Sequence, residues 1–175
     1  MRAAHDDGSH RGPGRLSHGP VAITHANPRA LLDHPRNKSD NVIRALAAKG
    51  GVIGAVGFPG GVLARGRRAT LDDYLDAIDS LANLVGVDHV ALGADFMEEM
   101  PPEVAAQVLQ GLPPAALAQF TSLPPTQDFE SVALLPNVTR GLLARGYTPE
   151  HVRKIIGENW LRLYRQTWRS IGHLP

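Results

Sequence analysis

The sequence predicts an α/β protein in which about three parallel strands are flanked by helices. Two observations carry that prediction. Three short apolar runs, at 21–24, 52–58 and 89–94, are separated by two stretches whose apolar residues recur at three- and four-residue spacing. The middle run, Val52-Ile-Gly-Ala-Val-Gly-Phe58, is apolar at both alternating positions, as a strand covered by helices on both faces is. Strand, helix, strand, helix, strand is the order of βαβ units in a parallel sheet.

Taken in order, residues 1–19 are polar and glycine-containing, with His5, His10 and His18 and no helical or strand period. They are expected to form a disordered or weakly ordered tail ahead of a single domain at 20–175, and their histidines read as solvated. Val21 to Thr24 is the first strand, followed by a turn over Asn27 to Leu32. Ser39 is placed to cap a helix running through Lys49, with Val42, Ile43, Leu46 and Ala47 on one face, and Gly50-Gly51 stops it. The second strand ends at Pro59-Gly60-Gly61, and a loop with Arg65, Arg67 and Arg68 follows. Thr70 caps a helix over Leu71 to Val85, whose Asp72, Asp73, Asp76 and Asp79 are expected mostly on the solvent side. The third strand, His89 to Ala94, delivers Asp95 at its end. Met97 to Asp128 contains six prolines and a short helical pattern over Glu103 to Leu109, and is expected to serve as a lid or a dimer contact. Two closing helices span Leu135 to Arg145 and Pro149 to Trp168, the second opened by Thr148-Pro149-Glu150.

Composition narrows the function. A formal net charge of +1 gives no electrostatic reason to expect nucleic acid or an anionic membrane as partner. With no cysteine, any metal must be held by His, Asp or Glu. No window reaches the roughly 18 apolar residues of a membrane span, and residues 1–10 have no apolar core, so a soluble, cytoplasmic chain is expected. A glycine-rich phosphate loop is absent from the sequence, which disfavours a phosphate-binding module.

Three residues are candidates for chemistry. His25 leaves the first strand, where an imidazole is held rigidly enough to ligate a metal; a histidine bonded to a backbone carbonyl is the bland alternative. Arg36, in the cluster Asp33-His34-Pro35-Arg36-Asn37, carries a planar guanidinium suited to a carboxylate, although a loop arginine is by default a surface group. Asp33, His34 and Asn37 are expected to hold that loop rather than touch a ligand. Asp95 stands at the end of the third strand, where an aspartate is commonly an N-cap or turn residue.

These residues sit in segments that resemble the membrane dipeptidase (renal dipeptidase-like) family of zinc metallopeptidases. The matching segments are Thr24-His25-Ala26-Asn27, Arg29-Ala30-Leu31, 33–37, Gly50 to Gly54, His89 to Phe96 and Gly157-Glu-Asn-Trp-Leu-Arg162. Together they cover most of this chain but only the C-terminal part of the family's domain. The resemblance implies the C-terminal portion of a (β/α)8 TIM-type barrel and a binuclear zinc centre hydrolysing dipeptides. In it His25 is a ligand of the second zinc, Arg36 grips the substrate's carboxylate and Asp95 handles protons. Family members frequently read Asp-Phe-Asp-Gly where this chain has Asp95-Phe96-Met97-Glu98. The family's His-x-Asp motif, bridging glutamate and other zinc-binding histidine have no counterpart here, and His18 lies too close to His25 to replace them. The expectation is therefore an incomplete copy lacking the N-terminal metal ligands, with a dipeptide substrate and either a homodimer mate or a missing N-terminal half as partner. The alternative is a catalytically inactive fragment that serves as an assembly partner.

Overall fold

The computed structural model describes residues 19–58, 62–96 and 124–168, with positions 98, 101, 103, 104, 107 and 110–113 between them. The expected tail before Gly19, with His5, His10 and His18, lies outside the described residues, as does most of the proline-rich segment with its short helix. In chain order the elements are β1 (Ala22–Ile23), α1 (Asp40–Ala47), β2 (Val52–Ala55), α2 (Leu71–Val85), β3 (Val90–Leu92), α3 (Leu135–Ala144), α4 (Pro149–Arg153) and α5 (Asn159–Thr167). The three strands form one parallel sheet in the order β1-β2-β3, with Ala22 opposite Val52 and Ile53 opposite Val90. The mixed α/β architecture with a parallel sheet is as the apolar periods predict.

Each strand is shorter than its apolar run, for local reasons. Gly86, at φ +84°, starts a tight turn over Val87–His89, so His89 precedes β3 instead of opening it. Its Nδ1 lies 2.8 Å from the Gly51 carbonyl oxygen, tying the start of β3 to the start of β2. The closing helix is likewise not continuous: a wide turn at Lys154–Glu158, with i to i+5 bonding, separates α4 from α5.

Alternation along the strands sends side chains to two apolar layers. Ile53, Ala55 and Val90 face a core built from Ile43 and Leu46 of α1, Tyr74, Leu75, Ile78 and Leu81 of α2, and Val138 and Leu142 of α3, closed by Val152 and Ile155. Val52 and Ala91 face the other way and are covered by Leu163 of α5, with Trp160 beside it. Residues 51–58 are buried throughout, which explains the unbroken apolar run.

The Gly157-to-Arg162 segment is a structural clamp. Buried Asn159 donates from Nδ2 to the carbonyls of Val87 and Val90, both at 2.8 Å, and Trp160 Nε1 donates to the Leu92 carbonyl at 2.9 Å. Arg162 donates to the Gly50 and Asp88 carbonyls at 3.0 and 2.7 Å, joining the turns that precede β2 and β3. Gly93 donates to Ala55 of β2, so the residues of β3 with alternate parity, Val90 and Leu92, direct their carbonyls to its outer edge. Side chains of α5 occupy those edge acceptors, as a partner strand would.

The aspartates of α2 lie mostly toward solvent, as the sequence predicts, and also make ion pairs that it does not show. Arg145 places its guanidinium among Asp72, Asp76 and Asp79, at 3.2, 2.6 and 2.6 Å, binding the end of α3 to α2. Asp73 completes a capping box with Thr70: its carboxylate accepts the Thr70 N–H at 2.8 Å while Thr70 Oγ1 accepts the Asp73 N–H. Arg67 adds two bonds to the same carboxylate, at 2.7 and 2.5 Å. Ser39, by contrast, stands at the predicted cap position of α1 without a side-chain capping bond.

The Arg67 hydrogen bonds hold the Asp73 carboxyl below its ordinary value, aided by Thr70 and opposed by partial burial. A carboxyl depressed in the folded state stabilises above its unfolded value, and that stability is lost as pH falls through the folded value. Asp73→Asn is therefore predicted to lower the melting temperature at neutral pH, with the gap to the parent closing as pH falls through and below the ordinary carboxylate range. Thermal unfolding followed across pH 2–8 checks this; a gap independent of pH would contradict it.

Candidate functional site

The C-terminal ends of the three strands meet at one rim, and each predicted residue lies there. Beyond β1 the chain crosses the inner face of the sheet, with the Thr24 carbonyl lying over Gly54 of β2 and Gly93 just past β3. A Cβ at either glycine would overlap that oxygen, so both positions need the absence of a side chain. His25 follows immediately. Its imidazole is exposed, with Nδ1 2.8 Å from Thr24 Oγ1.

Residues 27–38 form a closed loop whose base is a pair of backbone bonds, Lys38 N–H to the Asn27 carbonyl at 2.9 Å and Arg29 N–H to the Lys38 carbonyl at 2.8 Å. Two buried amides fasten it to the scaffold. Asn27 donates to the Val56 carbonyl and accepts from the Val56 N–H, both at 3.0 Å, so its side chain continues the pairing beyond β1. Asn37 donates to the Leu32 and Val62 carbonyls at 2.9 and 3.1 Å. Asn37 thus holds the loop, as expected. Asp33 has an exposed carboxylate, while its carbonyl accepts a bond from Arg65 at 2.7 Å.

Fastened in this way, the loop carries Arg36 to Asp95, the two groups facing each other at 3.8 Å with both side chains part-exposed. Two of the three sequence candidates are therefore brought together from separate elements. Asp95 adopts φ +59°, the left-handed region that a non-glycine residue occupies at a cost. Such conformations concentrate at working sites.

The rim is bipolar. On the Asp95 side, a cavity of about 210 Å³ is lined by Asp95, Glu98 and Glu130 over an apolar floor that includes Phe96 and Phe129. Phe129 stacks on Tyr74 at 4.5 Å and packs against Phe96 at 4.8 Å. Thr126 secures this wall by donating to the Gly57 carbonyl at 2.7 Å. On the Arg36 side stand Arg29, Lys38 and Arg65. Partial burial, then Arg36, Arg65 and Arg29, hold the His34 imidazole below its ordinary value. Burial, then Arg29 and Arg36, lower the Lys38 ammonium in the same way. Asn27, Lys38, Arg65, Glu98 and Glu130 were not singled out as site residues in the sequence. Only Asn27 and Lys38 carried a signal, as polar residues bracketing the loop.

A metal centre is only partly represented. Zinc centres use three or more protein ligands, and among the described residues no group of three or more His, Asp and Glu side chains is placed to hold an ion. His25 stands as a single imidazole, so the described residues do not fit a complete centre.

Because the Thr24 carbonyl needs both glycines, Gly93→Ala is predicted to destabilise the protein by about 1–3 kcal/mol and to displace His25. Urea unfolding with histidine ring NMR shifts checks this; unchanged stability and shifts would contradict it.

Comparison with known proteins bears on the family and the fold. The membrane dipeptidase family (peptidase family M19) matches residues 14–109. The chain is 32% identical over 151 residues to Dipeptidase tcpJ of Claviceps purpurea, covering 86% of this chain and 30% of that protein. A crystal structure of an amidohydrolase from Pseudomonas aeruginosa superposes with a TM-score of 0.76 at 34% identity, over 87% of this chain and 47% of the other. A metallo peptidase from Rhodobacter sphaeroides, liganded with a phosphinate mimic of the dipeptide L-Ala-D-Ala, gives 0.68 at 26% identity, over 89% and 38%. The chain thus spans about half or less of the length of the relatives it matches. By its sequence match and its fold, the chain belongs to the membrane dipeptidase family, peptidase family M19.

Proposed function

We propose that this chain supplies the substrate-orienting part of a dipeptide-hydrolysing site. The observation that carries the reading is the rim itself, where a cationic loop meets a largely apolar cavity edged by Asp95 at the Arg36–Asp95 pair. A dipeptide is a zwitterion whose two charges are separated by one peptide bond. Its carboxylate suits the Arg36 guanidinium through two parallel hydrogen bonds, and its ammonium suits the Asp95 side. A dipeptide bound in this way replaces the 3.8 Å Arg36–Asp95 contact and parts the two groups, with the scissile carbonyl between them. There the Asp95 carboxylate takes a proton from the attacking water and returns it to the leaving amine. The dipeptide mimic bound by the Rhodobacter sphaeroides relative supports this substrate class.

The same reading takes the sheet as the last strands of a (β/α)8 barrel, in which strand C-termini carry the chemistry. Zinc is the metal implied, with His25 one of its ligands. The other ligands would come from outside the described residues or from a polypeptide supplying further strands. A second reading, an inert assembly partner, is favoured by the same shortage of ligands among the described residues.

Dipeptide turnover and zinc content of the 175-residue protein separate the two. The dipeptidase reading predicts that Arg36→Ala raises KM for Ala-Ala about 10–100-fold, the worth of a lost charge-assisted pair. It also predicts that Asp95→Asn lowers kcat by about 10²-fold or more, and that blocking either substrate terminus weakens binding. Zinc-free protein that binds no dipeptide would overturn the enzyme reading in favour of the assembly partner.

A further inference from the structure

The cationic loop holds more donors than one carboxylate engages. The backbone N–H of Arg36 donates to His34 Nδ1 at 3.2 Å, and its guanidinium meets Asp95 only at 3.8 Å. Lys38 is half-buried, and its ammonium has no hydrogen bond or ion pair among the described residues. Arg29 meets Asp33 only through Nε at 3.9 Å and the Pro35 carbonyl at 3.5 Å, so its buried Nε has no hydrogen-bond partner among the described residues. Arg65 engages one of its nitrogens on the Asp33 carbonyl, leaving its remaining N–H groups. Against these four cations stand Asp33, which is 90% exposed, and Asp95.

Cations gathered in a part-buried loop repel one another; burial first, and then the neighbouring arginines, lower the proton affinity of Lys38 and His34. An arrangement of this kind is relieved by anionic ligand charge. One α-carboxylate engages Arg36 and leaves Lys38 and Arg65 without a carboxylate partner among the described residues, while Arg29 keeps its 3.9 Å contact with Asp33.

Building on the dipeptide reading above, we propose that the preferred substrates carry an acidic side chain on their C-terminal residue. Arg36 takes the α-carboxylate, and Lys38 with Arg65 takes the side-chain carboxylate. Asp33 lies outside this exchange because its carboxylate is in solvent.

Titration calorimetry of the 175-residue protein with Ala-Glu and its neutral isostere Ala-Gln tests the inference. Ala-Glu is predicted to bind about tenfold or more tightly than Ala-Gln, as one added charge-assisted contact gives. Lys38→Gln and Arg65→Gln should each shrink that ratio toward one, and Lys38→Arg should retain it, separating charge from folding. Equal affinities for the two dipeptides, both weakened by Arg36→Ala, would overturn the acidic-side-chain inference and leave the dipeptide reading standing. A preference for Ala-Glu unchanged in the Lys38 and Arg65 variants would overturn it too. Binding of neither dipeptide would overturn both.

Discussion

The site depends on one buried amide. Asn27 bonds Val56 through both ends of its side chain, which continues the β1–β2 pairing past the point where the backbone ladder stops. Its own carbonyl then accepts from Lys38 and closes the loop that carries Arg36. A buried amide left without these partners costs about 1–3 kcal/mol, so the loop's path and the scaffold's stability are coupled through a single residue. Asn37 fixes the far side of the same loop to Val62.

The consequence of that fastening is charge separation along a short rim. Guanidinium and ammonium groups collect on the loop because it has few acidic residues, whereas the cavity beside β3 collects Asp95, Glu98 and Glu130. The two sides are stabilised by different means. The acidic wall rests on the Tyr74–Phe129–Phe96 aromatic stack and on Thr126; the cationic loop rests on amide hydrogen bonds. Below the sheet, Asn159 and Arg162 clamp the turns at the opposite strand ends, so the rim is built on a fixed base. That division follows the separation of stability and function seen in parallel α/β architectures.

Much of the fold was legible because apolar period and punctuation agree: the run 52–58 reads as buried and is buried, and Gly86 and the Thr148-Pro149 start stand where the turns and caps form. The strand ends were over-read, since an apolar run does not say where hydrogen bonding stops. The aspartates of α2 lie mostly toward solvent as read, but the pairing of Asp72, Asp76 and Asp79 with Arg145 was not legible because that partner is distant in sequence. Within the site, Arg36 and Asp95 were legible as residue types in telling positions, but their encounter was not. Glu98 and Glu130 join the cavity only through tertiary folding, and Lys38 gave no sign of lacking a counter-charge. Whether His25 takes part in a metal centre is a matter of ligands that this stretch of sequence does not bring together among the described residues.

The central claim is that Asn27 holds Arg36 at Asp95. The most direct measurement is a crystal structure of the Asn27→Ala protein beside that of the parent. The account predicts an intact sheet, a displaced 27–38 loop and an Arg36 guanidinium beyond ion-pair distance of Asp95. An unmoved loop with the Arg36–Asp95 pair retained would contradict it.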